Sequence, residues 1–552
     1  MAKQPSINTD FTKASIPVSD FYQSVEGMDT ISSSVMVGPT KFKDAQNINM
    51  FPVGGYSWRN GYTLLNNSPV STATCNGLHM PRFTNGNTAV LVAGTKIYTM
   101  PSSLNGTWTD KTNGVTLSAG NTVTYSFALL NDILVACNDT DTTIQMDNTL
   151  TVATLAGSPV FTSAMFCLEH LGYMFYGQTV ESATRQFDRF RFSDINAPNS
   201  FTSLGSNNFI DVAKKTAGDL RGAVSFNGNL YAFKRNGIYL ITFQPTQVNS
   251  SGTIFPFSQF PVPIVPRVGT QSHRSIVKFT TPITNTKQSG VELVFFVDQF
   301  GMPRIFDGTT TVQIGYPIQK SRDTTVKTLS NMDLSQLPYC YAVNYPARNQ
   351  IWLFMSQSSS LLDTVWILDY TVGFAWTRHS FASNMASTAL FEKSNGQWNL
   401  FSGDYAGTVY NQDSGTDDNG TAISSYVIHG DAFLGSPTTR SNWPWIELKG
   451  ATGDNTQTIQ LDFYKDGEDI PSITLSSVSL ASIQTTWGTT GPGGTMTWGT
   501  STWAKSGITT LQKEIGMDAK TLRVKVSNKI KGNTLNLEGF SLAGIPLGVS
   551  QI

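Results

Sequence analysis

GAVSFNGNLYAFKRNGIYLI, residues 222–241, is the stretch on which the reading of this chain turns. Two apolar runs are punctuated by Asn-Gly, at Asn227-Gly228 and Asn236-Gly237. Bulky and small or polar residues alternate along it, the period-2 signature of a strand with one buried face. Asn and Gly tolerate positive φ, so these dipeptides favour tight hairpins.

The same form recurs on both sides. NGNTAVLVAGTKIYTM (85–100), LNDILVACNDTDTTIQMD (130–147), VELVFFVDQFGMPRIFDGTTTVQIG (291–315), DTVWILDYTVGFAWTRHSF (363–381) and SNGQWNLFSGDYAGTVYNQD (394–413) each join short alternating runs through N-G, D-G, N-D or S-G turns. The unit returns every ~40 to 60 residues, about the length of a four-stranded propeller blade. One such sheet cannot bury both faces alone. Stacking several around an axis buries them on each other and leaves few open edges. The spacing therefore predicts an all-β chain: a divergent β-propeller of about six to eight blades over 47–413. The competing arrangement is a large β-sandwich or a string of small β domains. No segment between Gly54 and Asp413 carries a convincing helical period, and the WD40, kelch and Asp-box signatures are absent.

The polar stretch NQDSGTDDNGTAISSY (411–426) reads as a linker. Beyond it, WPWIELKGATG, TIQLDFYKDGEDIPSITL and TLRVKVSNKIKGNTLNLEGFSLAGIPL alternate again, which predicts an antiparallel β-sandwich over 414–552. Its WGTTGPGGTMTWGTSTW loop carries Trp487, Trp498 and Trp503. These read as packing for a core or a subunit interface, against the alternative of stacking on sugars. Residues 1–46 read as an arm, or as a strand lent to another domain or subunit.

Composition narrows the function. Among 552 residues only 14% are charged, against roughly a quarter in ordinary domains, and the net charge is −1. General attraction to nucleic acid or to an anionic membrane is not indicated. The opening MAKQPSINTDFTKAS holds no apolar h-region, which argues against a secretory signal, and no run approaches the ~18 apolar residues of a membrane helix. Cys75, Cys137, Cys167 and Cys340 are scattered and read as reduced, buried thiols.

No motif carries catalysis. His79, His170, His273, His379 and His429 fall in no zinc or metalloprotease spacing and read as structural. DSGTDDNG (413–420) lacks the alternate acids and closing Glu of a calcium loop and reads as a solvated turn. Asp298, Asp307, Asp369 and Asp404 sit at predicted strand ends, where a glycosidase would need a facing pair but where turn aspartates also belong. Arg189 and Arg191 share one face of a predicted strand, with Phe190 and Phe192 on the other, which fits a half-buried strand better than a nucleic-acid footprint. No catalytic residue, cofactor or metal is expected.

Three segments, in order, resemble one family. NINMFPVGGYSWRNGY (47–62) is similar to its early signature through Asn49, Gly54, Gly55, Arg59 and Gly61; the usual Arg-Pro-Gly is Arg59-Asn60-Gly61 here. RFRFSDINAPNSF followed by DLRGAVSFNGNLYAFKRNGIYLI resembles its mid-chain pair, and GTQSHRSIVKF leading to VFFVDQFGMPRIFDGTTTVQIGYPI its next blade. The family is the tail nozzle of short-tailed phages, also called tail tubular protein B or packaged-DNA stabilisation protein. The resemblance covers 47–318. It implies a structural virion protein, assembled in the host cytoplasm, that forms a hexameric ring below the tail adaptor. Such a ring continues the DNA channel, retains packaged double-stranded DNA without sequence specificity and anchors fibres or spikes, with no membrane insertion. The alternative from the residues themselves is a carbohydrate-binding or depolymerising propeller.

Overall fold

Alternating side chains and Asn/Gly turns leave the chain one economical choice, and it takes it. In a computed structural model of the protein nearly every regular element is a strand, and the helical turns are short 3-10 segments. The fold class is all-β, built of antiparallel sheets. The structure describes residues 21–547 apart from 24–25, 51–53, 66–69, 102–106, 157–160, 205–206, 215, 217, 249–253, 283–289, 320–327, 358, 372, 393–395, 453–457, 481–489, 492–493, 496–508, 529 and 533.

The chain divides into two compact units, Arg59–Ile423 and Met1–Trp58 with Ser424–Ile552. Among the described residues the first unit holds seven successive four-stranded antiparallel meanders. The first runs Cys75–His79, Gly86–Ala93, Lys96–Pro101, Thr109–Asp110, with Arg82–Phe83 added beside its second strand. The second runs Ser126–Leu130, Ile133–Cys137, Ile144–Asp147, Val152–Thr154. The third runs Phe166–His170, Tyr173–Gly177, Arg189–Phe192, Phe209–Asp211. The fourth runs Leu220–Phe226, Asn229–Lys234, Gly237–Ile241, Val262–Pro266. The fifth runs Val277–Thr280, Glu292–Val297, Pro303–Phe306, Thr311–Gln313, and the sixth Tyr341–Tyr345, Gln350–Met355, Thr364–Asp369, Ala375–His379. The seventh takes Met385–Glu392, Trp398–Asp404 and Val409–Gln412, then borrows its fourth strand, Tyr62–Leu64, from the start of the unit.

The opening stretch spans three strands of the fourth sheet. Asn227 and Gly228 have φ of 48° and 72°, the double left-handed pair of a two-residue hairpin whose twist matches its strands. Asn131-Asp132 and Leu171-Gly172 close the equivalent hairpins of the second and third sheets in the same way.

Apolar faces are buried between neighbours, not within a sheet. Val90, Val92 and Ile97 of the first sheet share a core with Leu134, Ile144 and Met146 of the second. Phe175, Phe190 and Phe192 of the third meet Leu220, Leu230 and Ile241 of the fourth. Phe233 of the fourth packs against Phe296 and Phe306 of the fifth. Trp352, Phe354 and Ile367 of the sixth meet Leu400 and Tyr410 of the seventh. Phe391 and Phe401 of the seventh pack on Leu78, Leu91 and Ala93 of the first, which brings the series back to its beginning. Each buried ring of this kind contributes roughly 1.5–3 kcal/mol over its exposed state, so the interleaving of sheets is the main stabilising feature of this unit.

Two longer connecting stretches of this unit contribute strands of their own. Within 193–220, Phe209–Asp211 is the outermost strand of the third sheet. After the third strand of the fourth sheet, Phe243–Val248 and Ile254–Phe257 form a hairpin inserted before its outermost strand.

The other unit has two antiparallel sheets. One orders Phe42–Gln46, Ser425–His429, Leu522–Asn528, Ile459–Lys465, Ile473–Val478. The other orders Ile48–Asn49, Tyr56–Trp58, Leu535–Leu542, Ser441–Thr452, Thr509–Ala519, with Ile545–Pro546 beside Ser441–Thr452. The expected boundaries at 46/47 and 413/414 shift accordingly. Residues 42–58 supply strands to the sheets of the C-terminal residues, so the seven-sheet unit starts at Arg59. It ends at Ile423 because the turn after Gln412 is needed to hold the borrowed strand.

Candidate functional site

The residues of the early signature fall on the structure's long-range joints. Arg59 is buried at 4% exposure, and its guanidinium grips Asp418 with two bonds, Nη1 to Oδ1 at 2.8 Å and Nη2 to Oδ2 at 2.6 Å. Nη1 also donates to the Asn60 carbonyl and Nη2 to the Ser380 carbonyl, and the group lies 4.6 Å from the centre of the Phe381 ring. A charge-assisted fork with both carboxylate oxygens occupied is the geometry in which a buried pair is well solvated by protein. Next to it, a Cβ on Gly61 would overlap the Asp417 carbonyl oxygen. Gly61 and Tyr62 exchange backbone bonds with residues 414–419, and Tyr62–Leu64 then joins the seventh sheet. Thus Arg59 and Gly61 clasp the first strand of the unit to its last sheet. In the other unit Asn49 is buried, Gly54 sits at φ 96°, and a Cβ on Gly55 would overlap the Leu537 carbonyl.

The DSGTDDNG stretch is a turn with Gly415, Thr416, Asn419 and Gly420 exposed, as expected, but its Asp413 and Asp418 are half of this clasp. Asp413 takes Arg348 in a fork at 2.8 Å and 2.8 Å and accepts from Asn60 and Tyr345. Asp418 is buried on Arg59. Among the described residues no group of three or more His, Cys, Asp or Glu is arranged to hold a metal ion.

The four candidate aspartates are not brought together. Asp298 follows the second strand of the fifth sheet, where it accepts from the Phe300 and Met302 amides and from Arg304. Asp307 follows the third strand of the same sheet, at its opposite end. Burial works to raise its pKa, yet amides and hydroxyls of Thr309 and Thr310 bring it down to about 2. Asp369 is the last residue of the third strand of the sixth sheet, where burial raises its pKa despite the Thr371 amide. Asp404 caps the second strand of the seventh, taking the Ala406 and Thr408 amides and the Tyr410 hydroxyl. Each is a turn-forming acid with its oxygens engaged.

Neither a protein-family profile nor a curated protein matches this chain. Among solved structures, the computationally designed Ika8 protein is similar at 11% identity and a TM-score of 0.35, over 64% of this chain and 99% of that one. BamB from Moraxella catarrhalis is similar at 12% identity and a TM-score of 0.33, over 64% of this chain and 95% of that one. Likenesses this weak carry no argument about function.

Arg189 and Arg191 are spent inside the protein. Arg189 forks onto Asp211 and reaches Glu181; Arg191 forks onto Glu181; both lie over the Phe209 ring, at 3.9 and 5.0 Å. Phe190 and Phe192 are buried on the other face. The cysteines are all free and buried. Burial lowers His79, His170 and His273 to about 4 and His429 to about 3, with Lys278 adding to the effect at His170 and Arg274 at His273. His429 is enclosed by the rings of Tyr22, Phe42, Tyr56 and Phe540. Trp487, Trp498 and Trp503 lie outside the described residues.

One signal in the sequence went unread. Asp147-x-Thr149, Asp307-x-Thr309 and Asp369-x-Thr371 close the same turn, third strand to fourth, in three sheets, with the acid accepting the threonine amide each time.

Proposed function

We propose that the chain is a structural protein of a short phage tail, one subunit of a ring that continues the DNA channel, retains the packaged genome and anchors fibres or spikes. In this reading the seven sheets are blades of a β-propeller and the other unit's two sheets pack as a sandwich. The carrying observation is where the three resembling segments fall. The first supplies the clasp at Arg59 and Gly61 and ends on Tyr62, the first residue of the borrowed strand. The second covers the third strand of the third sheet and the first three strands of the fourth, and the third covers most of the fifth. A signature scattered over 47–318 thus lands on closure and on successive repeats, where a family keeping one architecture needs fixed residues.

The balance of charge supports the same reading. With a net charge of −1, and with Arg189, Arg191, Arg59 and Arg348 all matched by carboxylates, the protein offers no sequence-wide cationic track that would trap passing DNA. Exposed Phe260 (80%), Val262 (52%) and Val312 (61%) lie at the outermost strands of the fourth and fifth sheets, where a neighbouring copy would cover them. Native mass spectrometry of the purified chain tests the assembly. Six copies per particle is the expected mass; a monomer at all concentrations that binds glycans would favour the carbohydrate-binding alternative.

A further inference from the structure

A cavity of ≈ 240 Å³ lies where the first strands of five consecutive sheets begin. Thr124 leads into the second sheet, Met165 into the third, Arg221 opens the fourth, Arg274 precedes the fifth and Tyr339 the sixth. The volume is just under the ~300 Å³ at which ordinary small-molecule sites begin, so it suits a small ligand.

Its charges do not cancel. Arg221 is matched by Asp219, Nη2 to Oδ2 at 2.5 Å. Asp139, the acid on the wall, is taken by Arg185. Arg274 is left over. Its Nη2 donates to the Ala386 carbonyl at 3.3 Å and its guanidinium lies 4.6 Å from the centre of the Tyr341 ring. Nη1 of Arg274 and Nε of Arg221 are buried with no hydrogen-bond partner among the described residues. Removing a guanidinium from water without a counter-anion costs several kcal/mol. Beside it, His273 accepts the Ala223 amide on Nδ1 at 3.4 Å, which leaves the ring proton on Nε2 as a further donor.

We infer that this cavity binds a small phosphate-type oxyanion, with Arg274 as the charge partner and Arg221 and His273 as neighbouring donors. The donors named above, Nη1 of Arg274, Nε of Arg221 and Nε2 of His273, come from three side chains and can serve the several oxygens of a tetrahedral anion; a planar carboxylate has only two oxygens to offer them. The inference is independent of the tail reading, since it uses only the interior of the seven-sheet unit.

Isothermal titration of the full chain, with inorganic phosphate, glycerol 3-phosphate and succinate at matched ionic strength, tests it. Saturable phosphate binding with a Kd below about 1 mM is expected, and succinate at least about tenfold weaker. Tighter binding of glycerol 3-phosphate than of inorganic phosphate would assign the site to the phosphoryl group of a small organic molecule, within the same proposal. Arg274→Lys keeps the charge but loses the fork and should weaken binding about tenfold or more; Arg274→Met should abolish it. Should either variant fail to fold, Arg221→Lys is the second probe, and it too should bind more weakly. No saturable phosphate binding to the wild type, succinate binding as tightly as phosphate, or full affinity in Arg274→Met would each overturn the proposal.

Discussion

Arg59 concentrates more of the long-range architecture than any other side chain described above. It ties its neighbour Asn60 to Ser380 and Asp418, 321 and 359 positions further on from Arg59, in one buried knot. Breaking one side of such a pair strands the other charge, so Arg59→Ala should cost about 3–5 kcal/mol, read from urea unfolding of the seven-sheet unit. Arg59→Met paired with Asp418→Leu should recover most of that loss; a double variant as unstable as the single one would show that the charges are not what matters. The histidines give a second prediction. Their folded pKa values, about 4 for His79, His170 and His273 and about 3 for His429, lie below the ordinary value. The unfolded chain therefore takes up protons first on acidification. Their contribution is complete above about pH 6.5 and is lost as pH falls towards 4. His429→Phe, which keeps the aromatic enclosure, should flatten the fall in thermal midpoint across that window, and an unchanged slope would refute the assignment. Arg59 and Gly61 were legible as a motif, but Asp418 was not legible as their partner. DSGTDDNG looks solvated in sequence and mostly is; the burial of its Asp418 depends on Arg59, a partner 359 positions away.

Strands and their turns were the most readable level, because period-2 alternation and Asn-Gly pairs are local properties. The opening stretch shows this directly: Asn227-Gly228 makes the hairpin its composition predicts. Replacing Gly228, at φ 72°, with Ala should cost about 1 kcal/mol, whereas Ala at Gly467, also left-handed but in the other unit, should leave the seven sheets untouched. The borrowed strand was not readable, since nothing in Tyr62–Leu64 announces a partner at Val409–Gln412. Its dependence on Gly61 is testable. Gly61→Ala should accelerate hydrogen exchange at Tyr62, Leu65 and Asn419, whose amides bond across the joint, and leave the second to fifth sheets protected. Uniform loss of protection would mean that the sheets open together and that the clasp is no separate element.

At the scale of the whole molecule, self-association is the consequential expectation. Composition excluded broad electrostatic attraction, and the repeat period pointed to stacked sheets, but which outer residues meet a neighbour is a matter of surface that a repeat pattern does not encode. Phe260 and Val312 are the exposed apolar side chains on which the ring reading leans. Phe260→Asp with Val312→Asp should shift assembled rings towards monomers in sedimentation while leaving the thermal midpoint within about 1 °C, since exposed substitutions seldom change stability by more than about 0.5 kcal/mol. Rings that persist unchanged would place the contact elsewhere on the protein. The most direct measurement is electron microscopy of the purified chain together with phage particles that carry it. The account predicts six-fold rings in isolation and matching density at the tip of a short tail. Monomers that never join a particle would contradict it.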